Sequence, residues 1–584
     1  MKRDTDAGSS PAGATAAEWR GSIDAALAAH DAQLARRSVD VWVGAEPTFT
    51  RADSIHPAWS AHVAGDDKLA RAHALGIAIA NTLPGAALNR VVGRQFLDEP
   101  EPRFAFGVRW SDDDHGDPNG PRCALDAEPE PPPTELAGMR WLTITPDPGV
   151  IEVNMAPSAN AVDFAQQARR IWAAAATAQL SPNRYRFNGD PADSGGGGQI
   201  TLGGSRPETS PFIRYPHVLP ALLRYLNNHP SLSYWFANEC VGSASQGPRP
   251  DEGTREHWDE LEVTLGSLEH RADRGELAPE QLWHALAPLL TDPSGNTHRA
   301  EVNVEKLWNP HLATHGARHG RLGVVEFRAV RMPERPEMLA ALAALLRSIV
   351  ARLVVSHYRE PLVDWHDELH DRFALPAALS RDLRLVLGDL DEHGIGLPAQ
   401  LRTELEAWRA PGIACRLGDA TLVLRPALEF WPLVGDVASQ ERAATRWVDS
   451  STQRLELSIA GPGPERVVVA GQWVRLRSLG HGERALGVRR RVFEPAPGLH
   501  VGLPVDDPLV VEWAWAGRSQ KIELWAWRPA GGPYEGLPRD ATEALFRRQE
   551  RLKLTTCEGD VSANGHRAEV RAFTVDLRRD HRDA

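Results

Sequence analysis

Four short apolar segments each carry a carboxylate in mid-run, and this limits what the chain can fold into. In VWVGAEPTF (41–49), Val41, Val43 and Ala45 fall on one side of a strand, while Trp42, Gly44 and Glu46 fall on the other, because strand side chains alternate with a period of two. In IEVN (151–154), Glu152 and Asn154 oppose Ile151 and Val153. In AEVNVEKLW (300–308), Glu301, Asn303 and Glu305 oppose Val302 and Val304. In VVEFRAV (324–330), Glu326 and Arg328 oppose Val325 and Phe327. A solvated face of an antiparallel sheet explains any one of these segments. Four together suggest a sheet lined by Glu and Asn, the hard oxygen donors that a Mg²⁺–nucleotide site needs. Arg299 and Arg328 could then meet phosphate oxygens through a planar fork.

Composition narrows the function classes. The 584 residues carry a formal charge of -13, which argues against a nucleic-acid partner and against an anionic membrane surface. Cys123, Cys240, Cys415 and Cys557 are far apart, with no CxxC pair, which fits a reducing, cytoplasmic setting. The N-terminus shows no apolar signal-peptide core. The most apolar run, Leu339 to Val355, is interrupted by Arg347 and Arg352 and reads as a buried helix.

Along the chain, residues 1–36 read as a flexible extension that ends in a short helix. Residues 37–430 read as an α+β catalytic domain, 431–552 as a β-rich C-terminal domain and 553–584 as a polar tail. Helices are predicted near 66–82, 161–179, 217–228, 336–358 and, as a pair, within 255–288, and an exposed Pro-rich loop at 111–136. In the C-terminal domain, tryptophans such as Trp473, Trp513, Trp515, Trp525 and Trp527 alternate in strands and read as core.

Between the strands lies Ser194-Gly195-Gly196-Gly197-Gly198-Gln199. Four glycines permit positive φ and leave amides accessible, so such a loop can cradle a phosphate; a plain flexible loop has the same composition. It is neither a Walker A loop nor a dinucleotide fingerprint. Asn296, His298 and Arg299 lead into the 300–308 segment, and His298 reads as a polar or phosphate contact, HExxH being absent. Ser231 and Ser233 offer hydroxyls or helix caps, and no GxSxG elbow is present.

The ordered series VWVGAEPTF, IEVNMAPS (151–158), SGGGGQITLGG (194–204), SPFIRYPHVL (210–219), NHPSLSYWF (228–236), GNTHRAEVNVEKLW (295–308), LGVVEFRAVRMP (322–333) and WPLVGDVASQ (431–440) resembles the bacterial amidoligase family associated with transglutaminase-like proteins. That family is similar to the wider carboxylate–amine ligase group containing glutamine synthetase and glutamate–cysteine ligase. The resemblance implies an antiparallel sheet curved into a funnel with helices outside, and ATP with Mg²⁺ or Mn²⁺ as cofactors. It implies a ligase that joins a carboxylate to an amine, on a small molecule or peptide, through an acyl phosphate. The alternatives are a noncatalytic binding protein that keeps the fold, or a carboxylate kinase. By the same resemblance Glu46, Glu152, Glu301 and Glu326 would bind metal, with Asn154, Asn303 and Glu305 as further candidates. Arg299 and Arg328 would stabilise the transferring phosphoryl group, and Gly195 to Gln199 would cover the nucleotide. The family's loop closes with Asn-His where this chain has Gly198-Gln199. A transglutaminase-like partner would be a separate protein.

Overall fold

The structure is a computed structural model that describes residues 16–51, 65–83, 85–93, 103–111, 139–243, 245–293, 295–310, 320–430, 433–436, 446–492, 500, 502–532, 534–563, 565–566 and 572–581. The predicted loop at 111–136 therefore lies almost wholly outside the described residues, as do Cys123 and the first fifteen residues.

Eleven strands precede the C-terminal region: β1 (Trp42–Phe49), β2 (Ala87–Gly93), β3 (Arg103–Ser111), β4 (Met139–Thr145), β5 (Ile151–Asn154), β6 (Asn183–Tyr185), β7 (Pro191–Asp193), β8 (Gly198–Gly203), β9 (Cys240–Val241), β10 (Val302–Asn303) and β11 (Val325–Phe327). Eight of them form one antiparallel sheet in the order β10-β11-β8-β1-β5-β4-β3-β2.

The apolar face of this sheet is covered by helices. Helix Ala161–Thr177 is capped by Asn160, whose side chain accepts from the Asp163 amide at 2.8 Å. It brings Trp172 edge-on to Phe49 of β1, with ring centroids 5.1 Å apart. Helix Pro336–Val355 starts with proline at its first turn, where no amide partner is lost. It is long and apolar enough to cross a membrane, yet 89% of its apolar window is buried inside the fold. It packs on helix Ala161–Thr177 and on β8, so its apolar surface serves the core.

The expected funnel is not found. The molecule is a mixed α+β protein with several open, uncurled sheets. The eight-stranded sheet ends on two separate edges, β10 and β2. Strong curling needs bulges or closure, and its ladders run without a register shift.

After Ile413 the chain builds two larger sheets, besides the two-stranded pairing of Leu433–Asp436 with Arg446–Val448 and a short parallel pairing of Glu429–Phe430 with β9. One contains strands Ile413–Leu417, Ala420–Pro426, Thr452–Ala460, Arg477–Gly480 and Glu483–Arg491. The other contains Arg466–Val469, Gln472–Arg475, Leu509–Trp515, Arg518–Leu524 and Leu552–Glu558. They share a separate apolar core that includes Leu422, Leu457, Val488, Val511, Ile522 and the fully buried Trp513. Trp473, Trp515, Trp525 and Trp527 are only half-buried.

Candidate functional site: the acidic sheet face

Register decides which side chains share a face. Glu46 of β1 lies directly opposite Gln199 of β8, and Thr48 opposite Glu152 of β5. Glu326 of β11 lies opposite both Thr201 of β8 and Asn303 of β10. With a period of two, Glu46, Thr48, Glu152, Asn154, Gln199, Thr201, Asn303 and Glu326 all belong to one face. Val43, Ala45, Ile151, Val153, Ile200, Leu202, Val325 and Phe327 form the other, and all are buried.

On the polar face Thr48, Gln199, Asn303 and Glu326 are buried. Glu46 and Glu152 are half-buried and Lys306 is accessible. Desolvation, reinforced by the charge of Glu326, pushes Glu46 up to about 7. Desolvation also raises Glu152 well above the usual carboxylate range, aided by Glu46 and Asp147. The Asn154 amide opposes that shift by donating to Glu152 Oε1 at 3.0 Å. Lys306 and Arg328 act against the repulsion at Glu46. Lys306 is itself held above its ordinary value, chiefly by Glu46. Arg328 donates to the Glu326 carboxylate. Lys306 and Arg328 are the cations that oppose this acidic cluster at Glu46.

Two of these residues escape a strand-based reading. Asp147 sits in the β4–β5 turn, where its carbonyl accepts from Lys68. Lys306 lies in helix Glu305–Trp308. Its signal in the sequence is only its place directly after the acidic segment.

Glu301 is placed elsewhere. It precedes the first residue of β10, where strand alternation has not begun. Its carboxylate accepts from Ser233 and lies 3.9 Å from Arg249 Nη1. It lines a small cavity with Leu226, Leu232, Phe327, Leu342 and Leu346, on the helix-covered side. Burial pushes it up to about 7, against the pull of Arg249.

Glu305 is not in a strand but opens the helix, and its amide donates to Asn303 Oδ1 at 2.7 Å. That bond closes an Asx-type turn at Asn303, one residue before the N-cap Val304. His298 is exposed and pairs with Glu305 at 3.2 Å, and Asn296 accepts from the His298 amide. Asn296, His298 and Arg299 therefore belong to the loop at the β10 edge of the face. Histidines four apart at His366 and His370 do not share a site: His366 pairs with Asp364, and His370 stacks on Phe430 at 3.8 Å. His311, His315 and His319 lie outside the described residues.

The glycine loop is packed inward. The Gly195 amide donates to Asp193, the Gly196 amide to Ser194 Oγ and the Gly198 amide to the Val330 carbonyl. Thr48 Oγ1 donates to the Gly197 carbonyl at 2.6 Å. A Cβ on Gly196 would come within 2.8 Å of Thr48 Cγ2, and one on Gly197 within 2.9 Å of the Val330 oxygen. Close approach and positive φ at Gly195 and Gly197 account for these glycines. Next to the loop, Gln199 is 5% exposed and its Oε1 has no hydrogen-bond partner.

The donor types on the face (carboxylates and the bare amide oxygen of Gln199) suit a hard cation such as Mg²⁺. The spacing is looser: among the described residues no three of His, Cys, Asp or Glu gather closely enough to hold a metal ion.

The fold and this face define an α+β protein with an acidic, cation-bearing sheet surface. The chain matches the family described as "Putative amidoligase enzyme (DUF2126)" over residues 12–119 and 121–578, and it belongs to that family. No curated protein matches it. Family membership supports an enzymatic role of amidoligase type.

Proposed function

We propose that the chain is an ATP-dependent carboxylate–amine ligase whose chemistry takes place on the acidic face. The supporting observation is that Glu46, Glu152 and Glu326, from three strands, share one electrostatic field with Lys306 and Arg328. In the reaction, an oxygen of the substrate carboxylate attacks the γ-phosphorus of ATP and ADP leaves. The amine nitrogen then attacks the acyl carbon, phosphate leaves, and a base takes the amine proton. Anions must approach one another in the first step, so fixed cations are required.

Lys306 and Arg328 would neutralise phosphate and carboxylate oxygens. The acids of the face do not converge on one ion, so Mg²⁺ would enter with the ATP phosphates, whose charge it neutralises when bound, and would take at most single contacts from Glu46, Glu152, Glu326 or Gln199 Oε1. Asn154 orients Glu152 by its hydrogen bond. The loop amides at Gly195, Gly196 and Gly198 are already engaged, so the anion contacts fall to the cations of the face.

The test is ADP release by the full chain with ATP, Mg²⁺ and a panel of acids and amines, followed by mass analysis of products. An amine-dependent amide product is expected, and E152Q or E326Q should lower its rate at least about 100-fold. Unchanged rates in both variants defeat the assignment. ADP release that needs the acid but no amine marks a carboxylate kinase instead.

A further inference from the structure

Arg184 lies in the hairpin that feeds the glycine loop, and its backbone is held on both sides. β6 pairs with β7, which sets Arg184 opposite Ala192. Three residues earlier, Ser181 exchanges backbone hydrogen bonds with Thr50, the residue after β1, at 2.9 and 2.8 Å. The side chain is seated as well. A Cβ on Gly195 would stand 3.1 Å from Arg184 Nη2, 3.6 Å from its Cζ and 4.0 Å from its Nη1. The planar end of the arginine thus rests on Gly195, whose φ of +96° also favours glycine.

Arg184 is half-buried, yet its guanidinium makes no hydrogen bond or ion pair among the described residues. The acids of the hairpin are engaged elsewhere: Asp190 by Arg551, and Asp193 by the Gly195 amide and the Asn238 side chain. An arginine cannot shed its proton to lower the cost of burial, so a partly desolvated fork without an anion adds nothing to stability by itself. A second observation lies two residues along the loop. The amides of Gly195, Gly196 and Gly198 donate within the protein, whereas the Gly197 amide has no partner among the described residues. The place is the rim of the acidic face: Gly196, next to the seat of the arginine, packs on Thr48, and Thr48 lies opposite Glu152.

We propose that Arg184 is an anion-binding residue at the rim of the acidic face, taking an oxyanion group of a substrate, phosphate or carboxylate, through its planar fork. The inference rests on the reading of the face as the reaction site only for which substrate carries that group; the fork and its seat are fixed without it. The role also accounts for Gly195, since a side chain there would push the fork off the loop. Backbone and fork are both held before the anion arrives, so little freedom is lost on binding. Arg328 already donates to Glu326; Arg184 brings an unshared fork to the site.

The experiment reads Arg184 in the full chain and needs no turnover. Phenylglyoxal modification of wild type is followed by peptide mass at constant ionic strength, with inorganic phosphate, citrate or MgATP added and the exposed Arg170 as internal control. At least one of these anions should slow modification of Arg184 about five-fold or more at saturation and leave Arg170 unchanged. Protection by MgATP or phosphate but not citrate assigns the subsite to the nucleotide, protection by citrate alone assigns it to the acid substrate, and protection by all three supports the oxyanion class as stated. Unchanged modification of Arg184 with all three, or equal protection of both arginines, overturns the proposal. Calorimetry with the protecting anion supplies a second measurement. R184M, with its folding verified by melting curves, should bind that anion about ten-fold or more weakly than wild type; equal affinity overturns the proposal. A chain that releases no ADP with any acid and amine defeats the ligase reading, while the protection of Arg184 still decides the subsite.

Discussion

At Glu301, burial and an ion pair act in opposite directions, and burial prevails. The carboxyl is 5% exposed and lines a mostly apolar cavity, and burial pushes it up to about 7, although Arg249 lies 3.9 Å away. The folded value exceeds the unfolded value of 4.5, so the protonated form is favoured by folding. The stability it brings is complete below pH 4.5 and is lost as pH rises through about 7. Between pH 5 and pH 8 wild type should lose about 2–3 kcal/mol through this group, and E301Q should lack that component. Chemical denaturation of both proteins at the two pH values checks it; an equal difference at both would show that Glu301 titrates normally. Sequence periodicity placed Glu46, Glu152 and Glu326 on faces correctly related to their apolar neighbours, because each sits within a strand. It could not do so for Glu301 or Glu305, which flank a two-residue strand, the latter inside a helix. Lys306 was invisible to it, since helical residues follow a different period.

Among the elements, the glycine loop shows how composition misleads when its setting is unknown. Four glycines in a row suggest a phosphate cradle, but three of the amides donate within the protein. Gly196 separates the two readings because its φ is ordinary and only packing forbids a side chain there. A Cβ would meet Thr48 Cγ2 at 2.8 Å, and Thr48 cannot yield, being bonded to Ser194 Oγ and the Gly197 carbonyl, each at 2.6 Å. G196A is therefore expected to cost about 1–3 kcal/mol of stability. Adding T48S, which deletes the clashing methyl, should restore part of the loss. Full stability of G196A in denaturant melts would refute the packing account. The helices were legible because each carries its own signals, such as Asn160 before Ala161 and Pro336 at a first turn. Strands β10 and β11 are only two and three residues long. Their existence depends on β8 as a template, which no local pattern encodes.

At the scale of the whole molecule, the shape of the sheet was the least legible property. Funnel or open sheet is decided by whether edge strands meet, and β10 and β2 lie more than 200 residues apart in sequence. The alternation within each strand is the same in both cases. The C-terminal region has a role that also emerges only in three dimensions: it grips the hairpin that feeds the glycine loop. Arg551 forks onto Asp190 at 2.8 and 3.1 Å and donates to the Ala526 carbonyl. Arg547 donates to the Phe187 carbonyl at 2.6 Å, Asn188 donates to the Ala526 carbonyl, and a Cβ on Gly189 would stand 2.3 Å from the Ala544 oxygen. Beyond Asp190 the chain runs through β7 to the loop and on to Gln199, opposite Glu46. Removing the Arg551 fork leaves Asp190 poorly compensated, since burial already raises it and Arg551 is the strongest charge opposing that rise. Breaking one side of a largely buried pair typically costs about 3 kcal/mol. R551A should therefore destabilise the protein by about that amount, and amide exchange should rise first in residues 185–199, ahead of β1 and β5. If exchange rises only in the C-terminal sheets, the grip is local to them and does not set the position of the loop.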